Sequence, residues 1–151
     1  MLYNIVKWFH ILAAIIALGA NATYGVWLAR ASRSPESLPF TLKTIKFIDD
    51  RMANPAYGLA LLTGLLLVAL GHWPLTSSWI DIALILYVGV ILLGLLGYSP
   101  TLRRQIQAAE TGGPASPEYA ALARRGILFG VILAVIVVTI ELVMVTKPQL
   151  W

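Results

Sequence analysis

Four side chains that can bind a metal or move a proton lie within or beside apolar stretches of the sequence. His10 and Glu141 lie inside such stretches, whereas His72 and Asp81 lie at the ends of two others. Ionisable side chains are costly in hydrocarbon, so those found there usually pair with one another or serve a function. Imidazole is an axial ligand of haem iron and, together with carboxylate, a ligand of zinc or copper(II). The chemistry that these residue types indicate is therefore a haem or metal site.

The composition places these residues in a membrane protein. Hydrophobic residues make up 59% of the 151-residue chain and charged residues only 12%, whereas soluble domains are about one quarter charged. The chain contains no cysteine, which excludes disulfides, iron–sulfur clusters and thiolate metal sites. The net charge of +4 falls in two loops between apolar segments. We interpret it as a signal for orientation and predict no nucleic-acid partner.

Four apolar segments are long enough to cross a bilayer, which requires roughly 20 residues. We predict an all-α transmembrane four-helix bundle in which residues 1–151 form a single integral membrane domain. The first segment is not predicted to be a cleaved signal, because its start is nearly uncharged and its apolar stretch is too long. The predicted spans are about 3–29, 54–73, 79–98 and 124–146.

The placement of basic residues predicts the orientation. Lysine and arginine concentrate in the loops 30–53 and 99–123 and directly after the second of these loops, whereas the turn between the second and third spans has none. By the positive-inside rule, both loops are cytoplasmic and both termini lie on the outer side of the cell membrane. The sequence thus predicts a multi-pass protein of the cell membrane.

Prolines after polar residues predict where helices begin. Asn54-Pro55, Ser99-Pro100 and Ser116-Pro117 each place proline in the first turn of a helix behind a residue that could cap it.

The segment between the first two spans has apolar residues at helical spacing. Leu42, Ile45, Ile48 and Met52 would share one face of a short helix. We predict an amphipathic helix on the inner membrane surface.

One face of the first span carries its small and polar residues, which recur in steps of three and four. In lipid, small residues let helices approach closely and polar groups find partners inside a bundle. Small residues at Gly126, Gly130 and Ala134 of the fourth span would suit a subunit interface. The face of the first span consists of Lys7, His10, Ala14, Ala17, Asn21, Tyr24 and Leu28.

With both termini outside, the ionisable residues of the spans gather at the outer end of the bundle. We predict His10 and His72 as ligands of b-type haem, held between two antiparallel helices. The alternative is a divalent metal bound by His10, His72 and Glu141. Lys7 and Asp81 would complete the polar cluster in either case.

Each of these residues also has a purely structural interpretation. Asp81 could interact with the positive end of its own helix. Glu141 could form an ion pair with Lys7 or His10, and a hydrogen bond to Glu141 would satisfy His10 without any cofactor. His72 ends its span at a water interface beside tryptophans, where histidine needs no ligand. The sequence therefore leaves open whether any cofactor is bound.

Three stretches resemble an uncharacterised bacterial family of predicted integral membrane proteins, catalogued as a domain of unknown function. They are "KWFHILAAIIALG", "NPAYGLALLTGLLLVAL" and "RRGILFGVILAVIVVTIELVMVTKP", and the resemblance covers nearly the whole chain. More remotely, the Lys7-x-x-His10 start resembles copper-resistance D type membrane proteins and HemJ-type protoporphyrinogen oxidases. The latter resemblance implies a link between His10 and haem. Asp81 and Ala83 stand where HemJ-type proteins have a lysine, so we do not predict protoporphyrinogen oxidase activity.

Two functions are compatible with these patterns. The first is a small haem- or metal-binding protein that transfers electrons near the outer membrane face. The second is a non-catalytic accessory or assembly subunit of a larger membrane complex, or of a homo-oligomer. A transporter is less favoured, because no span is broken in the middle of the membrane. No motif assigns an enzymatic reaction.

Overall fold

Four long helices account for most of the chain. In the computed structural model, which describes residues 1–151, α1 comprises Leu2–Ala31, α2 Pro35–Leu70, α3 Ser78–Thr111 and α4 Pro117–Thr146. Each helix is long and apolar enough to cross a membrane. The predicted all-α fold with four spans is confirmed.

Successive helices are antiparallel, so the molecule has two distinct ends. Both chain termini and the turn 71–77 lie at one end, here called the terminal end, and the connections 32–34 and 112–116 lie at the other, the loop end. The 36 residues of α2 span about 54 Å at 1.5 Å per residue. This exceeds the ~30 Å of a hydrocarbon core. The loop-end parts of the helices therefore extend beyond the bilayer.

The helices α2 and α3 continue through their prolines instead of beginning at them. A π-helical segment, Asp49–Ala53, precedes Pro55, and a second, Leu93–Tyr98, precedes Pro100. Proline has no N–H to donate, and one turn of wider i→i−5 bonding keeps the helix continuous before it. Each proline lies in the first turn of the regular α-helix that follows, as predicted, but this turn is not the start of the whole helix.

The third predicted start is confirmed in full. Ser116 Oγ accepts a hydrogen bond from the backbone N–H of Tyr119 at 3.2 Å, and Pro117 is the first residue of α4. This is an N-cap followed by proline.

The prediction of a helix on the inner membrane surface is half right. Leu38–Ile48 is helical, but it is the first part of α2 and not a separate surface helix. Leu42 and Ile45, 0% and 1% exposed, pack with Tyr24 of α1 and Leu102 of α3 in the core of the loop end. The apolar face of Leu38–Ile48 therefore packs on the Ser99–Thr111 segment of α3 and not on lipid.

The helices form two pairs whose backbones approach each other most closely at the loop end. Toward the terminal end the pairs also meet through side chains, such as Val68 of α2 against the cluster that contains Trp79 and Val143. The pairs are α1 with α2 and α3 with α4. At the loop end, Leu38–Ile48 packs on Ser99–Thr111. Toward the terminal end, Asn54–Leu70 and Ser78–Leu92 have no Cα atoms within 8 Å of each other. A cleft therefore separates the two pairs in this half of the molecule.

The small and polar face of α1 packs against α2, as its spacing predicts. Ala17 and Tyr24 are buried. Asn21 donates from Nδ2 to the hydroxyl of Tyr57 on α2 at 3.0 Å. Lys7, at the terminal end of the same face, is exposed and borders the cleft.

Candidate functional site

The cleft between the helix pairs brings together most of the ionisable residues of the spans. Its volume is about 550 Å³, within the range of small-molecule sites. Apolar side chains form most of its wall, and it is open on one side. The polar or aromatic residues that line it are Tyr3, Lys7, His10, Tyr57, Trp73, Trp79, Tyr87, Glu141 and Lys147.

His10 is held in one orientation by two hydrogen-bonding groups of α2. Its Nδ1 lies 2.9 Å from the carbonyl oxygen of Ala60 and 3.1 Å from Oγ1 of Thr63. A carbonyl oxygen can only accept, so Nδ1 carries the proton and Nε2 keeps its lone pair. Because His10 lines the cleft and Nε2 has no hydrogen-bond partner in the protein, this nitrogen is free to bind a ligand.

Gly64 gives the imidazole of His10 its place against α2. A Cβ atom at this position would lie 3.1 Å from Cε1 of His10 and 3.5 Å from Nδ1. A glycine therefore lets the ring approach the α2 backbone closely enough to reach the Ala60 carbonyl. Only the structure identifies this partner of Gly64.

The structure does not bring His72 to the cleft. This residue lies in the turn after α2, is exposed, and has a left-handed backbone with φ of 52°. Gly64 contacts His10 and therefore lies at the same depth in the bundle. It lies six residues before the end of α2, so His72 is at least about 9 Å farther along the helix axis. A single imidazole, that of His10, therefore faces the cleft.

Glu141 and Lys7 share the cleft with His10. Glu141 forms no hydrogen bond or ion pair with either of them; the two salt bridges of the molecule are Lys43–Glu110 and Lys46–Asp50. The structure therefore does not contain the ion pair of Glu141 with Lys7 or His10 that the sequence left open.

Asp81 lies outside this group. It is in the first turn of α3 and does not line the cleft, which fits an interaction with the positive end of its helix. No three His, Asp or Glu side chains converge in the molecule as a metal site. A metal in the cleft would have to complete its coordination with water or with groups of a ligand.

Aromatic rings and a lysine form the mouth of the cleft at the terminal end. Trp73 and Trp79 pack edge to face with ring centroids 5.7 Å apart. The ammonium of Lys147 lies 5.3 Å and 5.2 Å from these two rings. Ser78 fixes the C-terminal tail nearby, because its Oγ donates to the carbonyl of Pro148 at 2.7 Å and accepts from the N–H of Leu150 at 3.0 Å.

Two tyrosines that sequence reasoning missed connect the helix pairs across the cleft. The hydroxyl of Tyr87 donates to the carbonyl of Tyr57, and their ring centroids are 6.5 Å apart. In the sequence, each is a residue with a hydroxyl group inside a long apolar segment. They supply hydroxyl groups on the wall of the cleft.

A second cavity, at the loop end, has a volume of about 420 Å³. It is lined by no histidine, acidic residue, lysine or arginine. Its most buried polar side chain is Gln105. The chemistry-bearing groups of the spans therefore face the first cleft and not this cavity.

Comparison with known proteins identifies the family. Residues 4–148 match the family described as "Predicted integral membrane protein (DUF2269)", and the chain belongs to it. No curated protein and no solved structure matches. The remote resemblance to the copper-resistance D type and HemJ-type proteins stays a prediction.

Proposed function

We propose that this membrane protein binds haem b in the cleft and transfers electrons at the membrane, and that His10 is the residue that would hold the haem iron. The observation that carries this proposal is the hydrogen bond from His10 Nδ1 to the Ala60 carbonyl, 2.9 Å long. Histidines that ligate metals usually donate their other ring N–H to such an acceptor, which fixes the tautomer and the ring orientation.

The wall of the cleft supports a flat, largely apolar ligand. Its volume of about 550 Å³ suits a molecule of that kind, and its open side would let the ligand enter between the helix pairs from the bilayer. Haem, once bound, supplies one-electron chemistry through its iron, tuned by the axial ligand and by burial.

Positive charge at the mouth of the cleft supports a ligand with carboxylate groups. Lys7 and Lys147 both line the cleft near the terminal end, and haem b carries two propionates. These lysines would hold the propionates, while the apolar wall would hold the ring. Glu141, which lines the same cleft without an ion-pair partner, would exchange a proton with a ligand or water.

Absorption spectra of the purified protein test this proposal. The chain is expressed with an adequate haem supply, purified in detergent, and measured air-oxidised and reduced with dithionite. We expect a Soret band in the wild type that is lost in His10→Ala and kept in the matched control His72→Ala. A colourless wild-type protein, or a His10→Ala variant that keeps its haem, would contradict the proposal.

The spin state separates the one-histidine site from the predicted two-histidine site. With His10 alone as protein ligand, the reduced haem has an open axial position and binds carbon monoxide. With His72 as a second ligand, the reduced haem would be low-spin and would not bind it readily. If no haem is found, metal analysis of the same preparation tests the divalent-metal alternative at His10 and Glu141.

A second candidate function is that of an accessory subunit. The observation that favours it is the exposure of α4, in which only Val137 and Val143 are buried. A Cβ added at Gly130 meets nothing within 4 Å, whereas one at Gly126 would lie 3.2 Å from Oε1 of Gln105 within the same chain. Gly130→Leu would then weaken an assembly detected by cross-linking in membranes, and a stable coloured monomer would count against this role.

A further inference from the structure

A buried carboxyl group lies at the loop end, away from the cleft. Asp49 is 6% exposed and begins the π-helical segment of α2, which packs against α1. It precedes the predicted span 54–73 and was not among the site residues predicted from the sequence. Single-turn π-helices occur frequently at functional sites.

Asp49 has no cationic partner. The nearby lysine, Lys46, forms its ion pair with the exposed Asp50. The hydrogen bond that Asp49 accepts comes from Nδ2 of Asn54 at 3.3 Å, which is long for such a bond. An ionised carboxylate buried in this way is strongly disfavoured unless something compensates its charge.

The hydroxyl of Tyr24 is the second unsatisfied group at the same place. The side chain is 6% exposed, and its hydroxyl is buried without a hydrogen-bond partner. It lies beside the carboxyl group of Asp49. A tyrosine hydroxyl carries its own proton and can donate to a carboxylate, so this neighbour lowers the pKa of Asp49 and opposes the effect of burial.

Protonation of Asp49 removes the buried charge, which the single long bond from Asn54 does not compensate. Burial raises the pKa of Asp49, an effect that Asp50 increases and Lys46 opposes. The other titratable groups near Asp49 are Tyr57 of α2 and Tyr98 of α3, which are neutral at physiological pH.

We propose that Asp49 is a proton-binding site at the loop end, whose buried carboxyl group has no cation beside it and takes up a proton next to the hydroxyl of Tyr24. The proton comes from water at the loop end and returns there, so no other reactant is needed. This site is independent of the haem proposal, because neither residue lines the cleft.

Polar groups continue from this site toward the cleft. Asn21 lies three residues before Tyr24 on α1 and donates to the hydroxyl of Tyr57, which lines the cleft. A proton-binding site at Asp49 would thus stand at the loop-end start of a row of polar side chains along the α1–α2 interface. Binding of a proton to Asp49 would then determine whether the group at the loop-end start of this row is a neutral carboxyl group or a charged carboxylate.

Carbon-13 NMR of the aspartate carboxyl groups tests the proposal on the full chain in lipid nanodiscs. The chain has three aspartates, Asp49, Asp50 and Asp81, so selective labelling gives three titrating signals. Asp49→Asn assigns the signal of interest, and if that variant does not fold, Asp50→Asn and Asp81→Asn assign it by elimination. We expect Asp49 to titrate well above the ordinary aspartate value of about 3.9 and above Asp50.

Two variants test whether the hydroxyl of Tyr24 faces the carboxyl group of Asp49. Tyr24→Phe removes a donor to the ionised carboxylate and is expected to raise the titration midpoint of Asp49. The matched control Tyr119→Phe removes a tyrosine hydroxyl elsewhere at the loop end and is expected to leave it unchanged. An Asp49 that titrates with or below Asp50, or a midpoint unaffected by Tyr24→Phe, would overturn the proposal. A signal that responds at constant pH to sodium or potassium in place of choline would show a metal cation as the occupant and would also overturn it.

Discussion

The Nδ1 atom of His10 lies 2.9 Å from the carbonyl oxygen of Ala60, and this contact determines which ring nitrogen is left for a ligand. The carbonyl belongs to a buried residue of α2, so the imidazole is anchored to the neighbouring helix and not to its own. The free nitrogen belongs to a residue on the wall of an apolar cleft. A histidine positioned in this way is prepared to bind a ligand before any ligand arrives.

Gly64→Ala should disturb the packing of His10. The added Cβ would lie 3.1 Å from Cε1 of the ring, so the ring must move away from Ala60. We expect a loss of about 1–3 kcal/mol in the free energy of unfolding, measured in detergent, together with weaker ligand binding. The matched control is Gly58→Ala, where an added Cβ meets nothing within 4 Å. Equal stability of the two variants would contradict the packing role of Gly64.

Ser78→Ala should release the C-terminal tail from the mouth of the cleft. The serine is buried and its Oγ bonds both Pro148 and Leu150. Loss of these bonds leaves the carbonyl of Pro148 and the N–H of Leu150 to water, at a cost of about 0.5–1.5 kcal/mol for each hydrogen bond. We expect faster removal of the last residues by carboxypeptidase than in the control Thr76→Ala, whose side chain is exposed and makes no hydrogen bond. Unchanged digestion would show that the tail is held by other contacts.

Leu42→Ala should destabilise the protein far more than Phe40→Ala. Leu42 is fully buried in the core of the loop end, whereas Phe40 is 70% exposed. A buried leucine truncated to alanine costs about 2–5 kcal/mol. Thermal unfolding in one detergent compares the two variants directly. A larger loss for Phe40→Ala would contradict the packing of Leu42 in the core of the loop end.

Cysteine labelling tests the predicted orientation, since the chain contains no native cysteine. The positive-inside rule places the terminal end outside and the loop end in the cytoplasm. In intact cells, a membrane-impermeant maleimide should label Thr76→Cys at the terminal end. Glu36→Cys at the loop end should be labelled only after lysis. The reverse pattern would invert the protein in the membrane.

The four spans and the inward face of α1 were predictable, because lipid imposes strong constraints on both. A span must be apolar over its length, and Asn21 and His10 must find partners inside the bundle. The N-cap at Ser116 was predictable because it depends on residues next to it in the chain.

The continuation of α2 through Pro55 was not predictable from its local sequence. Proline is compatible with a helix start or with a helix that widens by one turn before it. The choice depends on whether the preceding segment has something to pack against. Leu42 and Ile45 find that partner in Leu102 of α3, which is distant in sequence.

The separation of His10 from His72 could not be foreseen for a related reason. Both histidines lie toward the same end of the bundle, and depth along the chain suggested that they would meet. The partner of His10 is instead a backbone carbonyl, at Ala60, and backbone groups carry no signature in the sequence. Asp49 was missed because it lies in a charged stretch, where carboxylates are normally solvated.

The measurement that tests the central claim most directly is chemical rescue of a His10→Gly variant. This substitution removes the imidazole and leaves space beside Gly64, so the purified variant should lack haem absorption. Haem and free imidazole added together should leave haem bound to the variant after gel filtration in the presence of imidazole, whereas haem added alone should be removed by gel filtration. A variant that keeps wild-type haem without imidazole, or a wild type that binds none, would contradict the assignment of His10 as the ligand.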